Sequence, residues 1–273
     1  MVSNEKYKAI VRYFWFHIST NSGQPFNTPL LKQKLWVLKG MGSQTNYFTY
    51  LEDFEDMLFL LHYIRPSDLF IDIGANMGSY SILAGGIKKA NVISIEPSPI
   101  NYHWLLKNIQ QNGLDLFIKP NQIALGNQCR EIQIVSKGAL SYITEKIDET
   151  RMSVRMTKLD NISEFGDCIK MDVEGYELSV LEGGKNVLTN PRTNVLIIEM
   201  KEFDKNYLPK SEVYNFLIAQ EFHPYSYNPI KRELRLLPTY NRSLPNTIFI
   251  RNIKQAQNRI RTSKPIKVGR LFY

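Results

Sequence analysis

The chain has 273 residues, of which 43% are hydrophobic and 22% are charged, and its formal net charge is +8. This composition is that of a folded globular protein and excludes a fibrous or largely disordered chain, and the length suffices for one large domain with extensions. The two cysteines, Cys129 and Cys168, lie far apart without a CxxC motif. A disulfide framework or zinc site is therefore not expected, and this cysteine usage predicts a cytoplasmic protein.

The N-terminal region, residues 1–66, is predicted to be a helical extension. Its longest apolar run, residues 10–18, contains Arg12 and His17 and is shorter than the roughly 20 residues of a membrane span. No small-residue cleavage site follows it, so a signal peptide is not expected. We interpret this run as an amphipathic helix packed on the domain, with a membrane-surface or partner contact as the alternative. A second amphipathic helix should end near Pro66, because a residue before proline is pushed out of the helical region.

The central region, residues 67–251, alternates short apolar runs with segments of helical spacing. Continuous apolar runs are typical of strands buried on both faces of a parallel sheet, and their alternation with helices predicts a doubly wound α/β fold. Alternating apolar and polar pieces between Gly126 and Asp160 predict a small β insertion beside the sheet. The expected strands include residues 69–71, 92–95, 168–171, 195–198 and 247–250, and the expected crossover helices span residues 79–88, 99–112 and 176–188.

The C-terminal segment, residues 252–273, is basic and contains no acid. We interpret it as a solvated, partly disordered tail, whose deletion after Arg251 should leave the fold intact. The alternative is contact with an anionic substrate carrier, a membrane or a nucleic acid. From residue 251 onward the cations are Arg251, Lys254, Arg259, Arg261, Lys264, Lys267 and Arg270.

A glycine loop at the start of the central region indicates a nucleoside cofactor. Asp72 ends an apolar strand, and Gly74 and Gly78 bracket the turn into a helix, so backbone N–H groups face a ligand at the carboxyl end of the strand. Glu96 follows Asp72 by 24 residues, near the offset at which a strand-end acid meets a ribose diol. Asn76 replaces the middle glycine of a dinucleotide loop, where its side chain would obstruct a pyrophosphate. The pattern therefore favours a methyl donor with an amino group and a sulfonium over a nicotinamide dinucleotide.

Several blocks, in order along the chain, make the interpretation more specific. They are Asp72-Ile73-Gly74-Ala75-Asn76-Met77-Gly78, Glu96-Pro97-Ser98, Ala124-Leu125-Gly126, Leu159-Asp160 and Lys170-Met171-Asp172-Val173-Glu174-Gly175. Together they resemble the FkbM-type methyltransferase family. The resemblance implies a doubly wound, mostly parallel class I methyltransferase sheet, S-adenosylmethionine as the cofactor, and O-methylation of a hydroxyl on a saccharide or natural-product-like acceptor.

The resemblance also implies roles for individual residues. The residues implied to surround the methionine part of the cofactor are Asp72, Gly74, Asn76 and Gly78; those near the ribose are Glu96 and Ser98; those near the adenine are Gln122, Ile123 and Ala124. Asp172 is the first candidate for a general base or substrate anchor, and Glu174 is the second. The alternative for both is an acidic turn that stabilises the start of a helix. No metal is expected: Asp172 and Glu199 could supply two ligands, but the sequence identifies no third oxygen ligand.

Two other functions stay open at this point. The basic tail would suit a nucleic-acid methyltransferase, but the Pro-Pro-aromatic sequence that such enzymes commonly have after the strand-end acid is absent after Asp172. A non-catalytic protein that retains the nucleoside pocket is the other alternative. The expected partner is a hydroxyl-bearing small molecule or glycan, with an anionic or peripheral membrane contact through the tail as a further interpretation.

Overall fold

The computed structural model describes residues 25–37, 49–137, 140–144, 151–200 and 210–273, together with residues 11, 13, 14 and 46. The helix predicted over residues 10–18 lies mostly outside the described residues. Within the described ranges, no helix has the length and apolar character needed to cross a membrane.

An antiparallel hairpin and a helix precede the central sheet. Strands β1 (Phe26–Leu30) and β2 (Gln33–Val37) pair with each other, and helix α1 (Phe54–Tyr63) follows. Along β1, Thr28 and Leu30 are buried while their neighbours are not, which is the period-two pattern of a half-buried strand. The N-terminal extension, predicted to be helical, thus contains a β-hairpin as well as a helix.

The remaining elements follow one another along the central and C-terminal regions. In chain order they are β3 (Leu69–Ile73), α2 (Ser79–Ile82), β4 (Asn91–Ile95), α3 (Pro99–Gln111), β5 (Ile118–Asn121), β6 (Ala124–Leu125), β7 (Arg130–Lys137), β8 (Leu140–Thr144), β9 (Arg151–Thr157), β10 (Cys168–Met171), α4 (Glu177–Glu182), α5 (Lys185–Thr189), β11 (Val195–Glu199), α6 (Lys210–Ala219), β12 (His223–Asn228), β13 (Glu233–Leu236), β14 (Asn246–Ile250), α7 (Ile253–Thr262), β15 (Lys267–Val268) and β16 (Leu271–Phe272).

Eight of the described strands form one sheet in the order β13-β12-β14-β11-β10-β3-β4-β5. The five strands from β11 to β5 are mutually parallel, whereas β14 runs antiparallel to both β11 and β12. Every residue of the central strands β10 and β11 is buried, as expected for parallel strands covered on both faces. The predicted doubly wound, mostly parallel sheet is confirmed, and each predicted strand lies within an observed one.

Helices cover both faces of the sheet, so the core has two halves. One half packs α1, α3 and α7 against residues such as Phe70 and Ile197. The other packs α4, α5 and α6 against residues such as Ile71 and Leu196. Adjacent strand positions point to opposite faces, and both faces of these strands are apolar. This arrangement leaves the carboxyl ends of the parallel strands as the edge at which loops and polar side chains gather.

The structure tests two further predictions for the central region, the β insertion and the third crossover helix. The small β insertion is confirmed as a sheet with the order β6-β9-β7-β8. The single helix predicted over residues 176–188 is instead two helices, α4 and α5, separated by Gly183 and Gly184. A Cβ atom at Gly183 would lie 2.0 Å from the backbone oxygen of Gly126. The break therefore lets the chain pack directly against the start of the insertion.

The C-terminal segment is folded, so the prediction of a partly disordered tail was wrong. Helix α7 packs on α1 and buries Ala256 and Ile260 completely. Arg259 forms an ion pair with Asp68 at 2.5 Å, and the ring of Tyr273 packs edge-on against Phe54. The apolar positions of α7 follow helical spacing, but the polar and basic residues between them concealed that pattern in the sequence.

Candidate active site

The glycine loop after β3 has an unusual backbone conformation. Gly74, Asn76 and Gly78 have φ values of 74°, 51° and 91°, in the left-handed region. Glycine adopts this region without a steric penalty, and asparagine tolerates it better than most residues. The alternation of Gly, Asn and Gly in the sequence is therefore explained by the backbone that the loop requires, and it turns the chain sharply from β3 into α2.

Glu96, at the end of β4, faces the glycine loop. Its carboxylate accepts hydrogen bonds from the backbone N–H of Asn76 at 2.8 Å and from that of Ser98 at 2.9 Å. Burial raises the pKa of Glu96 to about 7, although these two N–H donors act in the opposite direction. The carboxylate is thus fixed in orientation at the floor of the loop, where it can still accept hydrogen bonds from a ligand.

The glycine loop touches the acidic turn that follows β10. Strands β3 and β10 are parallel neighbours with Ile73 opposite Met171, and the N–H of Asp172 donates to the backbone oxygen of Ile73. A Cβ atom at Gly74 would lie 1.8 Å from the backbone oxygen of Asp172. The two motifs, about a hundred residues apart in the sequence, therefore form one continuous surface.

This surface is the floor of an open cleft whose empty volume, counted out to the solvent at its mouth, is about 740 Å³. Seven of the predicted site residues line the cleft: Gly74, Asn76, Glu96, Ile123, Ala124, Asp172 and Glu174. Apolar side chains of Ile95 and Leu125 and the polar side chain of Asn101 complete the wall near Glu96.

Four predicted site residues do not line this cleft. Asp72 is buried beneath it, and its carboxylate accepts a hydrogen bond from the Ser81 hydroxyl at 2.6 Å. Gly78 faces α3, and a Cβ atom there would lie 2.5 Å from Leu105. Ser98 is the N-cap of α3, and Gln122 is exposed on the connection between β5 and β6. The direct cofactor contacts implied for these four residues stay predictions, and the contacts of Asp72, Gly78 and Ser98 position the loop, Glu96 and α3.

Lys170 lies beneath Asp172 and was not among the residues predicted for the site. Its Nζ atom is 3.2 Å from Oδ2 of Asp172, and the Lys170 side chain is only 4% exposed. Residues two apart in a strand share a face, so a lysine two positions before Asp172 in an otherwise apolar strand was the available signal. Burial alone would raise the pKa of Asp172, but the Lys170 ammonium holds that pKa below its ordinary value. Asp172 is therefore ionised at neutral pH.

Two further carboxyl groups near Asp172 have raised pKa values. Burial, and then the charges of Asp172 and Glu177, raise the pKa of Glu174 to about 7. Burial, and then the charge of Asp172, raise the pKa of Glu199 to about 9. At neutral pH the cluster thus contains an ionised Asp172, a neutral Glu199 and a partly protonated Glu174.

A second buried ion pair supports the acidic turn from below. Glu177 lies 2.7 Å from Nζ of Lys210, on α6, and both side chains are almost fully buried. The other oxygen of Glu177 accepts a hydrogen bond from the N–H of Gly175. Within the turn, Glu174 and Gly175 have φ values of 49° and 96°. The Glu177–Lys210 pair therefore helps to stabilise a turn whose backbone is unfavourable for Glu174.

The acidic cluster has the donor set of a divalent cation site. Oxygen atoms of Asp172, Glu174 and Glu199 lie within 4.8 Å of one another, so Glu174 is the third oxygen that the sequence did not identify. The Lys170 ammonium, however, already contacts Asp172, and the raised pKa of Glu199 leaves that carboxyl neutral. The charge of the cluster is therefore compensated by the protein itself, and the expectation of a metal-free site stays a prediction.

Comparison with known proteins identifies the family. A family model described as the methyltransferase FkbM domain matches residues 72–227, which is more than half of the chain and includes the glycine loop, Glu96 and the acidic turn. The chain belongs to the FkbM methyltransferase family. Residues 72–227 accordingly form a domain of an S-adenosylmethionine-dependent methyltransferase family, as the resemblance of the sequence motifs implied.

Two curated methyltransferases are similar to about half of the chain. The chain is 28% identical over 147 residues to the hexuronic acid methyltransferase AglP of Haloferax volcanii, a stretch covering 52% of this chain and 59% of AglP. It is 25% identical over 139 residues to the methyltransferase sdnD of Sordaria araneosa, covering 48% of this chain and 54% of sdnD. The chain thus matches only a little over half the length of each relative.

The fold also resembles solved methyltransferase structures. The structure of M. jannaschii TYW2 in complex with AdoMet aligns with a TM-score of 0.43 and 14% sequence identity, covering 83% of both chains.

The cleft of this FkbM enzyme fits S-adenosylmethionine. Glu96 offers a carboxylate for the ribose hydroxyls, and within the described structure the Oδ1 atom of Asn101 is buried without a hydrogen-bond partner. A ligand hydroxyl or amino group would satisfy that acceptor. Ile95 and Ile123 provide apolar walls for a base. Sequence analysis missed Asn101 because it lies one turn inside α3, where an asparagine has no motif to mark it.

Proposed function

We propose that this protein is an O-methyltransferase that methylates a hydroxyl group of a saccharide or natural-product-like acceptor in the cytoplasm. The observation that carries the proposal is the position of Asp172 and Glu174 in the cofactor cleft, in direct continuity with the glycine loop. A methyl donor bound by the loop and Glu96 would place its reactive group near these carboxylates. Positioning the nucleophile next to the methyl donor in this way can lower the activation barrier by about 7–11 kcal/mol.

The two carboxylates have pKa values suited to different tasks. S-adenosylmethionine supplies a methyl group that is already activated by its positive sulfur. Asp172, ionised because of Lys170, accepts a hydrogen bond from the acceptor hydroxyl and fixes its orientation. Glu174, with a pKa of about 7, takes the hydroxyl proton as the oxygen attacks, since a general base works best near the ambient pH. Groups whose environments push their pKa values apart are a common arrangement for acid and base chemistry.

Two features support a saccharide as the acceptor. AglP, a relative of the same family, is named for a hexuronic acid substrate. A second open space beside the end of β11 is lined by Tyr240 and Arg242, and the Arg242 guanidinium lies 5.7 Å from the Tyr240 ring centroid. An aromatic ring can pack on the apolar face of a sugar, and an exposed arginine can pair with a sugar carboxylate.

The proposal is tested with labelled S-adenosylmethionine and a panel of glycans, nucleotide sugars, hexuronic acids and RNA. We expect the label on a saccharide oxygen. Asp172→Asn should lower turnover by about 10- to 100-fold, since a hydrogen bond to a charged group contributes roughly 1.5–3 kcal/mol, while calorimetry shows unchanged cofactor affinity; Asp115→Asn, an exposed aspartate, is the matched control. Methylation of RNA alone, or wild-type turnover in Asp172→Asn with the fold verified by thermal melting, would refute it.

A further inference from the structure

A groove between the hairpins β1–β2 and β15–β16 has an apolar floor and a basic rim; we call it the basic groove. Its apolar lining residues are Pro29, Leu31, Ile87, Pro265, Ile266 and Phe272. Lys32, Lys267 and Arg270 lie on its rim, and all three are exposed. Among the described lining residues there is no acid. The groove is distinct from the cofactor cleft, with which it shares no lining residue.

The rim cations differ from the other cations of the C-terminal segment. Arg259 pairs with Asp68, and the Arg251 guanidinium donates to backbone oxygens, including that of Leu188 at 2.6 Å; these two cations stabilise the fold. By contrast, Lys267 and Arg270 form no ion pair with any described residue, and neither does Lys32. Their charge is therefore available to an external anion.

Exposed apolar side chains stand beside these cations. Phe272 is 67% exposed and Leu271 is 40% exposed, and the Lys267 ammonium lies 5.8 Å from the Phe272 ring centroid. Phe272 is held on a two-stranded hairpin whose Val268 is buried, so its exposed position is fixed by the fold. Aromatic and leucine side chains flanked by lysine and arginine are typical of surfaces that lie in the headgroup region of a membrane.

The charge distribution along the chain points to an anionic partner surface rather than a single small anion. Glu233 is the last acidic residue of the sequence, and the cations from Lys254 to Arg270 lie without acids between them. Besides the rim, Arg261 and Lys264 are exposed. Such a field attracts anionic headgroups within a Debye length of the surface.

We propose that the basic groove and the β15–β16 hairpin dock this enzyme on a membrane surface that contains anionic phospholipid. Lys32, Lys267 and Arg270 contact lipid phosphates, and Phe272 and Leu271 enter the boundary between headgroups and acyl chains. This contact is peripheral, since it is made by exposed side chains. The proposal does not depend on the acceptor or on the roles of Asp172 and Glu174.

The test is co-sedimentation of the full-length protein with phosphatidylcholine vesicles, with and without phosphatidylglycerol. We expect binding to the phosphatidylglycerol vesicles alone, weakened by salt. Lys267→Gln combined with Arg270→Gln should lower binding about 30-fold, since each cation near an anionic surface contributes roughly fivefold. The matched control is Lys119→Gln combined with Lys185→Gln, which removes two exposed cations elsewhere. Phe272→Ser should also weaken binding, whereas Leu116→Ser, at a residue 94% exposed, should not.

Three results would overturn the proposal. The first is the absence of binding to phosphatidylglycerol vesicles. The second is an equal loss of binding in the groove variants and in their matched controls, which would indicate a diffuse charge effect. The third is displacement from the vesicles by soluble glycerol phosphate at the same phosphate concentration, which would assign the groove to a free phosphate compound. Circular dichroism melting of each variant shows that the compared proteins are equally folded.

Discussion

Glu96 is buried, and two backbone N–H groups donate hydrogen bonds to it. Its strength as an acceptor for ribose hydroxyls therefore depends on whether its carboxyl group is ionised. Two backbone N–H groups hold the carboxylate in place, while burial raises its pKa to about 7. A neutral carboxyl group is a weaker acceptor for ribose hydroxyls than a carboxylate, because charge-assisted hydrogen bonds are about twice as strong as neutral ones. Cofactor affinity should therefore reflect the ionisation of this one side chain.

We expect Glu96→Gln to weaken S-adenosylmethionine binding about tenfold, since a hydrogen bond to a charged group contributes roughly 1.5–3 kcal/mol. In the wild type, affinity should fall as the pH drops below about 7, because the raised pKa leaves Glu96 neutral there. Titration calorimetry on both sides of that pH measures both effects. Glu164→Gln, at an exposed glutamate, is the control. If Glu96→Gln binds as tightly as wild type, the ribose assignment is wrong.

Lys170 is the residue on which the charge state of the acidic cluster depends. Removal of one partner of a buried ion pair lowers the free energy of unfolding by about 3–5 kcal/mol. Because the Asp172 side chain is 37% exposed, we expect Lys170→Met to cost about 3 kcal/mol or less. The pKa of Asp172 should also rise, so that with decreasing pH turnover begins to fall at a higher pH than in wild type. Denaturant unfolding and a pH–rate profile measure the two effects. Lys185→Met, at an exposed lysine, should change neither, and an unaltered pH profile in Lys170→Met would contradict the role.

The contact between the glycine loop and the acidic turn explains why the two motifs occur together. Gly74 has a left-handed φ and no room for a Cβ atom, since the backbone oxygen of Asp172 would be 1.8 Å away. Gly113 has a similar φ of 61° but open space around it. Alanine substitutions at both glycines share the cost of a left-handed backbone, but only the substitution at Gly74 adds a steric clash. Comparing the two variants therefore separates these two costs.

Gly113→Ala should therefore destabilise the protein by about 1–2 kcal/mol, the cost of a left-handed alanine. Gly74→Ala should add about 1–3 kcal/mol for overpacking, and it should abolish cofactor binding because the loop or Asp172 has to move. Thermal unfolding and calorimetry with S-adenosylmethionine compare the two variants. Equal cofactor affinity in Gly74→Ala and Gly113→Ala would show that the contact does not shape the site.

Elements with local signals could be predicted from the sequence. The parallel strands are continuous apolar runs, and the glycine loop has residues that tolerate a left-handed backbone. The break between α4 and α5 could not be predicted, because Gly183 is required by a contact with Gly126 more than fifty residues away. The Leu159-Asp160 block has a comparable explanation: the Asp160 carboxylate accepts hydrogen bonds from the N–H groups of Asn186 and Val187 at the start of α5.

The residues that line the cleft could be predicted where they belong to motifs, and they were missed where only tertiary packing brings them close. Glu96, Asp172 and Glu174 come together as the parallel strand ends predict. Lys170 and Lys210 compensate the acidic cluster from a strand interior and from a later helix, and Lys210 has no sequence relation to the residues that it contacts. Charge compensation of this kind depends on tertiary packing, which periodicity does not reveal.

At the scale of the whole molecule, the C-terminal segment closes the core of one face of the sheet. Ile260 and Ala256 of α7 have no exposed surface and belong to the same hydrophobic cluster as Leu58 of α1 and Phe70 of β3. The Tyr273 backbone oxygen accepts a hydrogen bond from Arg232, which connects the chain end to the loop before β13. Helix α1, before the sheet, and helix α7, after it, therefore share one hydrophobic core.

Ile260→Ala should consequently destabilise the protein by about 2–5 kcal/mol, the usual cost of a large-to-small change at a fully buried site. Ile230→Ala, at a residue 79% exposed, should stay within about 0.5 kcal/mol of wild type. Deletion of residues 252–273 should go further and abolish cooperative melting, because it uncovers α1 and leaves Asp68 without Arg259. Denaturant unfolding measures the two substitutions, and calorimetry measures the deletion. If the truncated chain melts cooperatively near the wild-type temperature, the hydrophobic core is complete without α7.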